Sequence, residues 1–226
     1  MTRQRCNVAT LQRHHVGKLA MRTLAFVGQK GGSGKSTLAA SIGVAAQEAG
    51  ERAFLLDLDP QATLASWGSR REAENPPVDR TKASQLAGVL SALSANGYTL
   101  AVIDTQGADI AGVSEVMRRA DLTLIPSRPT LIDIEAAKPT VAALRQLSRP
   151  FAFVLNQVPP TASHVRLDDA ARALGQLGDL ATPPICARAD HQDALALGLG
   201  VTERDPTGKA AREVRELWLW IKGRLK

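Results

Sequence analysis

Eight consecutive residues, Lys30-Gly31-Gly32-Ser33-Gly34-Lys35-Ser36-Thr37, bring two lysines, three glycines and three hydroxyls into one short loop. Those types at that spacing suit phosphate. Gly31, Gly32 and Gly34 let the backbone turn tightly and aim its N–H groups at anionic oxygens, and a helix opening near Gly34 adds partial positive charge. Lys35 can reach the β- and γ-phosphates of a nucleotide, and the Ser36 hydroxyl can bind Mg²⁺. Ser33 and Thr37 complete the polar lining. The stretch departs from the strict pattern G-x-x-x-x-G-K-[ST], because Gln29 stands where the first glycine belongs. Lys30 is a second oddity. A cradle that already has Lys35 gains most from another cation if that cation neutralises a neighbouring nucleotide, although a solvated surface lysine is the bland alternative.

Three carboxylates follow at strand ends. In "LLDLDPQATL", Asp57 and Asp59 close an apolar run, at the edge where α/β sheets place ligands. Asp59, fixed in its turn by Pro60, can orient or deprotonate an attacking water, and Asp57 can support a Mg²⁺ shell. Asp57 has a second reading, as the cap of a helix starting near Gln61. In "LAVIDTQG", four apolar residues lead to Asp104, the arrangement of a strand-end acid near Mg²⁺, and Gly107 can sense a γ-phosphate through its backbone N–H.

These groups need elements to hold them. "TLAFV" (23 to 27) is a short apolar run ending at the glycine-rich loop, and "TLAASIGVAAQEAG" after it sets Leu38, Ile42, Ala45 and Ala49 on one helical face. Further strands are expected at 52 to 59, 98 to 105, 121 to 127 and 151 to 157. Helices are expected at roughly 82 to 95, 110 to 119, 130 to 147, 163 to 176 and 207 to 225. Strands alternating with helices imply an α/β fold with a doubly wound, mainly parallel sheet flanked by helices. Pro139 should kink the 130 to 147 helix or delay its start. The polar stretch "GSRREAENPPVDR" (68 to 80) reads as a surface loop.

Lys30 to Thr37, "DLDPQ" and "IDTQG", in this order and spacing, resemble the deviant-Walker-A ATPases of the ParA/MinD group, most of all the small ParA-type partition ATPases without a helix-turn-helix domain. The likeness continues through "ADLTLIPSRPTLIDIEA", "FVLNQ" and "GVTERD". It implies a single-domain P-loop NTPase over residues 21–226 that binds ATP and Mg²⁺. Lys30 would cross to the phosphates held by a second subunit, making an ATP-sandwich homodimer. That dimer would bind DNA without sequence preference, and a ParB-like centromere-binding activator would trigger an otherwise slow hydrolysis through Asp59. The resemblance also places Asn156 at the nucleotide base, although an asparagine closing a strand fits as well. It puts Arg188 on the DNA surface, with Arg212 and Arg215 added from the basic final helix. Gln106 departs from the family, which often has proline there.

Lys and Arg number 28 against 22 Asp and Glu, a net charge of +6. Residues 1 to 20 hold Arg3, Arg5, Arg13 and Lys18 with no acid, so removing those four charges from +6 leaves +2. Residues 1–20 read as a basic extension, either disordered or a misassigned start upstream of Met21. Cys6 and Cys186 lack the spacing of a redox or zinc motif and fit a reducing compartment, so a cytoplasmic protein is expected, and the resemblance implies that it is nucleoid-associated. Neither is placed to hold an iron–sulfur cluster. The final segment, "AAREVRELWLWIKGRLK", carries Val214, Leu217, Ile221 and Leu225 in one stripe. Packing into the core is the reading preferred there; a MinD-like membrane- or cargo-positioning ATPase is the alternative.

Overall fold

Short apolar strands with side chains alternating between two faces need a cover on both sides, and the helices between them supply it. The computed structural model describes residues 20–107, 110–161 and 164–225. Its strands are β1 (Arg22–Phe26), β2 (Ala53–Asp57), β3 (Val78–Arg80), β4 (Leu100–Asp104), β5 (Leu122–Ser127), β6 (Phe151–Leu155) and β7 (Asp179–Ala181). They form one seven-stranded sheet in the order β3-β2-β4-β1-β5-β6-β7, parallel at every junction. β1 lies between β4 and β5, so the loop leaving it opens at the point where the winding direction changes, the ligand crevice of this architecture.

The helices are α1 (Lys35–Glu48), α2 (Thr63–Arg70), α3 (Leu86–Ala95), α4 (Ile110–Arg119), α5 (Leu131–Gln146), α6 (His164–Gly175), α7 (Ala189–Ala196), α8 (Val201–Arg204) and α9 (Lys209–Arg224). Two cores result, one on each face. Leu24, Phe26, Leu55 and Val102 point with α1, α2, α7, α8 and α9 into the first. Ala25, Phe54, Leu56 and Ile103 point with α3, α4, α5 and α6 into the second. Burial of both faces explains why the strands read as continuous apolar runs.

Several expectations are corrected. The 68 to 80 stretch begins inside α2 and ends in β3, a three-residue edge strand whose Val78 sits opposite Leu55. β7, α7 and α8 carried too few residues to show a period. α5 starts at Leu131 and runs through Pro139 to Gln146, so the proline does not delay it. The basic run before residue 20 lies outside the described residues, as does Cys6.

The apolar stripe of α9 is spoken for. Val214, Leu217, Trp218 and Ile221 are buried in the first core, and α9 packs on α1. Among the described residues, no helix is long and apolar enough to cross a membrane. Leu217→Ala should therefore cost ~2 to 5 kcal/mol of folding stability, as truncation at a fully buried leucine does, read from chemical denaturation. A stripe reserved for a membrane surface would leave the midpoint almost unmoved.

Candidate functional site

The loop between β1 and α1 folds as a cradle because its glycines take shapes other residues resist. Gly34 has φ 90°, and a Cβ there would fall 2.3 Å from the Asn156 amide nitrogen. That amide donates to the Ser33 carbonyl at 2.7 Å, and the neighbouring Gln157 amide donates to the Gly32 carbonyl at 2.8 Å. Two loop carbonyls are thus fastened to the two residues that follow β6. Gln157 holds its place with φ 54°, a left-handed backbone uncommon outside glycine. Asn156 is buried, and one N–H of its amide is used on the loop, which adds a bracing role to the one the sequence suggested.

The carboxylates meet at the same edge by strand register. Asp104 pairs with Phe26 on one side and with Asp57 on the other. Asp104 is fully buried, and among the described residues neither of its oxygens has a partner at full hydrogen-bond geometry, the Ser36 hydroxyl being near enough only to act on its charge. Burial raises its pKa to about 7, the Ser36 hydroxyl and Lys35 draw it down, and Asp57 and Asp59 add to the rise. Lys35 is its counterpart. Only 7% exposed, it is pushed below the usual lysine range by burial, with Asp104 and Asp59 pulling the other way. Its ammonium reaches the Lys30 carbonyl at 3.5 Å.

Asp57 has a different occupation. One oxygen accepts from the Asp59 N–H at 2.9 Å and the other from the Ala65 N–H at 2.8 Å. Its carboxylate therefore ties down the Asp59 turn and the first turn of α2. These two bonds match the capping reading, and each oxygen keeps a second lone pair that leaves room for the expected support of a Mg²⁺ shell. Asp59 stands further out, with one oxygen accepting from the Gln61 N–H at 2.9 Å. It borders a cleft of about 340 Å³ that Asp57, Arg80, Lys82, Thr105 and Gln106 also line. Gly107 lies against the loop, where a Cβ would come 3.0 Å from the Gln29 carbonyl. Segments 28–37 and 105–107 therefore touch.

An oxygen-only donor set suits a hard cation such as Mg²⁺, and Asp104 with Ser36 provides one. Among the described residues, no three His, Cys, Asp or Glu side chains gather as a complete metal cage. Mg²⁺ commonly takes one or two protein oxygens and completes its shell with phosphates and water.

Lys30 does not point into this cradle. Its ammonium lies 3.3 Å from Asp133 on the first turn of α5 and its side chain is 34% exposed. Asp133 also takes Arg128 Nε at 3.1 Å and the Thr130 hydroxyl, while its own N–H is capped by Thr130. Burial pushes the Asp133 carboxyl up, but bonds from Thr130, Arg128 and Lys30 together hold it below the usual range. Leu131 and Ile132, just before it, are 73% and 70% exposed. Sequence reasoning missed Asp133, although T-x-x-D at a helix start is a capping signal. Gln157 entered the sequence reading only as the last residue of "FVLNQ", with no role of its own.

The three arginines expected at DNA differ in freedom. Arg188 grips Glu213 at 2.5 Å, and Glu213 also accepts from the Cys186 N–H. Arg215 donates to the Pro206 carbonyl and pairs with Glu48 at 3.6 Å. Arg212 is exposed.

A glycine cradle at the crevice of a parallel sheet, with Lys35, Ser36 and Asp104 around it, defines a P-loop nucleotide-binding protein. The model of the CobQ/CobB/MinD/ParA nucleotide-binding domain matches residues 24–201, so the chain belongs to that family and is a ParA/MinD-type ATPase. It is 31% identical over 198 residues to Maintenance of carboxysome distribution protein A of Gloeobacter kilaueensis, covering 85% of this chain and 88% of that one. It is 24% identical to Protein ParA of Rhizobium radiobacter over 79% of this chain and 84% of the relative. Among solved structures, an ATP complex of a Cyanothece McdA variant superposes with a TM-score of 0.73 at 16% identity, covering 91% of this chain and 96% of that one.

The high pKa of Asp104 has a stability consequence with a definite sign. A carboxyl whose folded pKa is raised from 3.8 to about 7 binds its proton more tightly when folded, so folding loses stability as pH rises through that interval. Asp104→Asn removes this loss. The nucleotide- and metal-free variant should melt above the parent at about pH 8, with the gap closing towards about pH 4. Parallel melting curves across that range check it.

Proposed function

We propose that this ATPase is a positioning switch of the partition type. ATP and Mg²⁺ join two copies into a sandwich dimer, the dimer binds DNA without sequence preference, and a partner protein ends the state by stimulating hydrolysis. One observation supports this above the rest. The loop has two lysines with separate situations: Lys35 is buried beneath its own cradle, and Lys30 is part-exposed at the rim on the α5 side. A rim cation is placed to neutralise phosphate that this subunit does not hold.

The other roles follow from position. Lys35 and the loop N–H groups hold phosphate, with Gly31, Gly32, Ser33, Gly34 and Thr37 shaping the cradle. Ser36 and Asp104 would hold Mg²⁺, whose contribution is to offset charge developing on the phosphates. Asp59, presented to the cleft on a turn anchored by Asp57, orients or deprotonates the attacking water. Asn156 keeps its carbonyl oxygen for the base while its amide braces the loop.

For DNA, the arrangement favours Arg212. Arg188 and Arg215 are engaged in internal pairs and add mainly to the local field. If the cargo is a replicon, the activator is a ParB-like centromere-binding protein, and the ATPase is nucleoid-associated in the cytoplasm. A second reading, protein cargo moved by the same cycle, is favoured by the relative named for carboxysome distribution. Burial of the α9 stripe argues against a membrane as the matrix.

Lys35→Ala should abolish ATP binding, whereas Lys30→Ala should keep ATP binding and stay monomeric. Asp59→Ala should bind ATP, lose turnover by roughly a hundredfold or more, and accumulate dimers, as loss of a water-activating group does. Sedimentation with ATP, ADP or no nucleotide reads all three, and monomeric Asp59→Ala saturated with Mg·ATP would falsify the sandwich.

Arg212→Glu in the Asp59→Ala dimer should weaken DNA binding and lower the salt slope by roughly one to two phosphate contacts. It is a cleaner probe than Arg188→Glu, which would set two carboxylates face to face at Glu213. Dimers that bind anionic liposomes and ignore DNA would favour a membrane matrix instead.

A further inference from the structure

Lys30 has somewhere to be before any dimer exists. In the single chain its ammonium lies against Asp133, a residue 103 positions away that no catalytic pattern in the sequence marks. The two ends of this pair are unequal. The Asp133 side chain is only 3% exposed and fixed by the α5 cap, while Lys30 is 34% exposed on a flexible stem. If the pair opens, the lysine is the part that moves.

Its departure would not strand a buried charge. Arg128 and the Thr130 hydroxyl both remain on Asp133, so the carboxylate keeps a cation and a donor after Lys30 leaves. Breaking a buried ion pair is costly when one partner is left uncompensated, and here it is compensated. The contact itself is long and part-exposed, the kind that biases an equilibrium without locking it. The surroundings are also bare on the outer side, since Leu131 and Ile132 project from the same turn at 73% and 70% exposure.

We infer that Asp133 is a positioning residue for Lys30: a counter-ion in the free subunit that the lysine exchanges for the triphosphate of a second copy, with Arg128 taking over the vacated carboxylate. This rests on the sandwich-dimer reading. Asp133 thereby sets how much nucleotide-driven attraction is needed before two subunits close, and Arg128 sets how readily Lys30 is released.

The two residues must then act in opposite directions, which a simple structural role would not produce. Each dimer releases two lysines, so a bias of a few-fold per subunit multiplies to roughly tenfold in the dimer dissociation constant. In the Asp59→Ala background with Mg·ATP, Asp133→Asn should tighten the dimer by about that factor, read by sedimentation over a concentration series. Arg128→Gln, which leaves Asp133 more dependent on Lys30, should loosen it. Nucleotide affinity of the monomer, measured with a fluorescent ATP analogue at low protein concentration, should be the same in both. Adding Lys30→Ala should erase the difference between them.

Looser dimers in both variants, or no change in Asp133→Asn, would overturn the exchange and reduce the pair to an ordinary surface contact. If Lys30→Ala by itself still dimerises, the trans lysine is wrong and this inference falls with it. If Lys30→Ala is monomeric and only the Asp133 effect is missing, the sandwich stands and the exchange alone is lost.

Discussion

A loop that turns its N–H groups towards phosphate must turn its carbonyls away, and those carbonyls need partners. Here Asn156 and Gln157 supply them from the end of β6, donating to Ser33 and Gly32. The sheet order makes this possible, since β6 stands two places from β1 and its carboxyl end lies beside the loop. Without that brace the glycines that permit the cradle would also permit its collapse. Fold and site are therefore joined through two amide side chains as much as through the loop itself.

Around the cradle, charge is arranged in a deliberately uneven way. Asp104 and Lys35 are both buried and both resist their ionised forms. Under the proposed function, each would be stabilised by what a nucleotide and its cation carry, negative phosphate for the lysine and positive metal for the carboxylate. Asp57, in contrast, also holds backbone, with one N–H on each of its oxygens. That makes it the scaffold for Asp59, which remains at the cleft where a water could be addressed. Two aspartates separated by one residue thus divide into a fixed support and a presented group.

Much of this could be read from the chain alone. The phosphate loop declares itself through residue types at fixed spacing, and Asp104 through its place after four apolar residues, because both depend on local sequence. The main strands and the long helices were equally plain from apolar patterning. What escaped was either too short or too distant. β3 and β7 span three residues each, below the length at which alternation means anything. The partnership of Lys30 with Asp133 and the brace from Gln157 join positions more than a hundred residues apart, and only the folded sheet brings them together. Basic residues were visible, but their availability was not: Arg188 and Arg215 turn out to fasten α7, α8 and α9 internally.

Gln157 holds one consequence of its own. Its left-handed backbone is a conformation that glycine or asparagine would accept with less resistance, so the chain tolerates local tension there to keep a long amide under the loop. Thermal robustness and readiness for nucleotide therefore pull against one another at this position. A version of the protein relaxed for endurance would tend to lose the support that keeps its phosphate grip in shape.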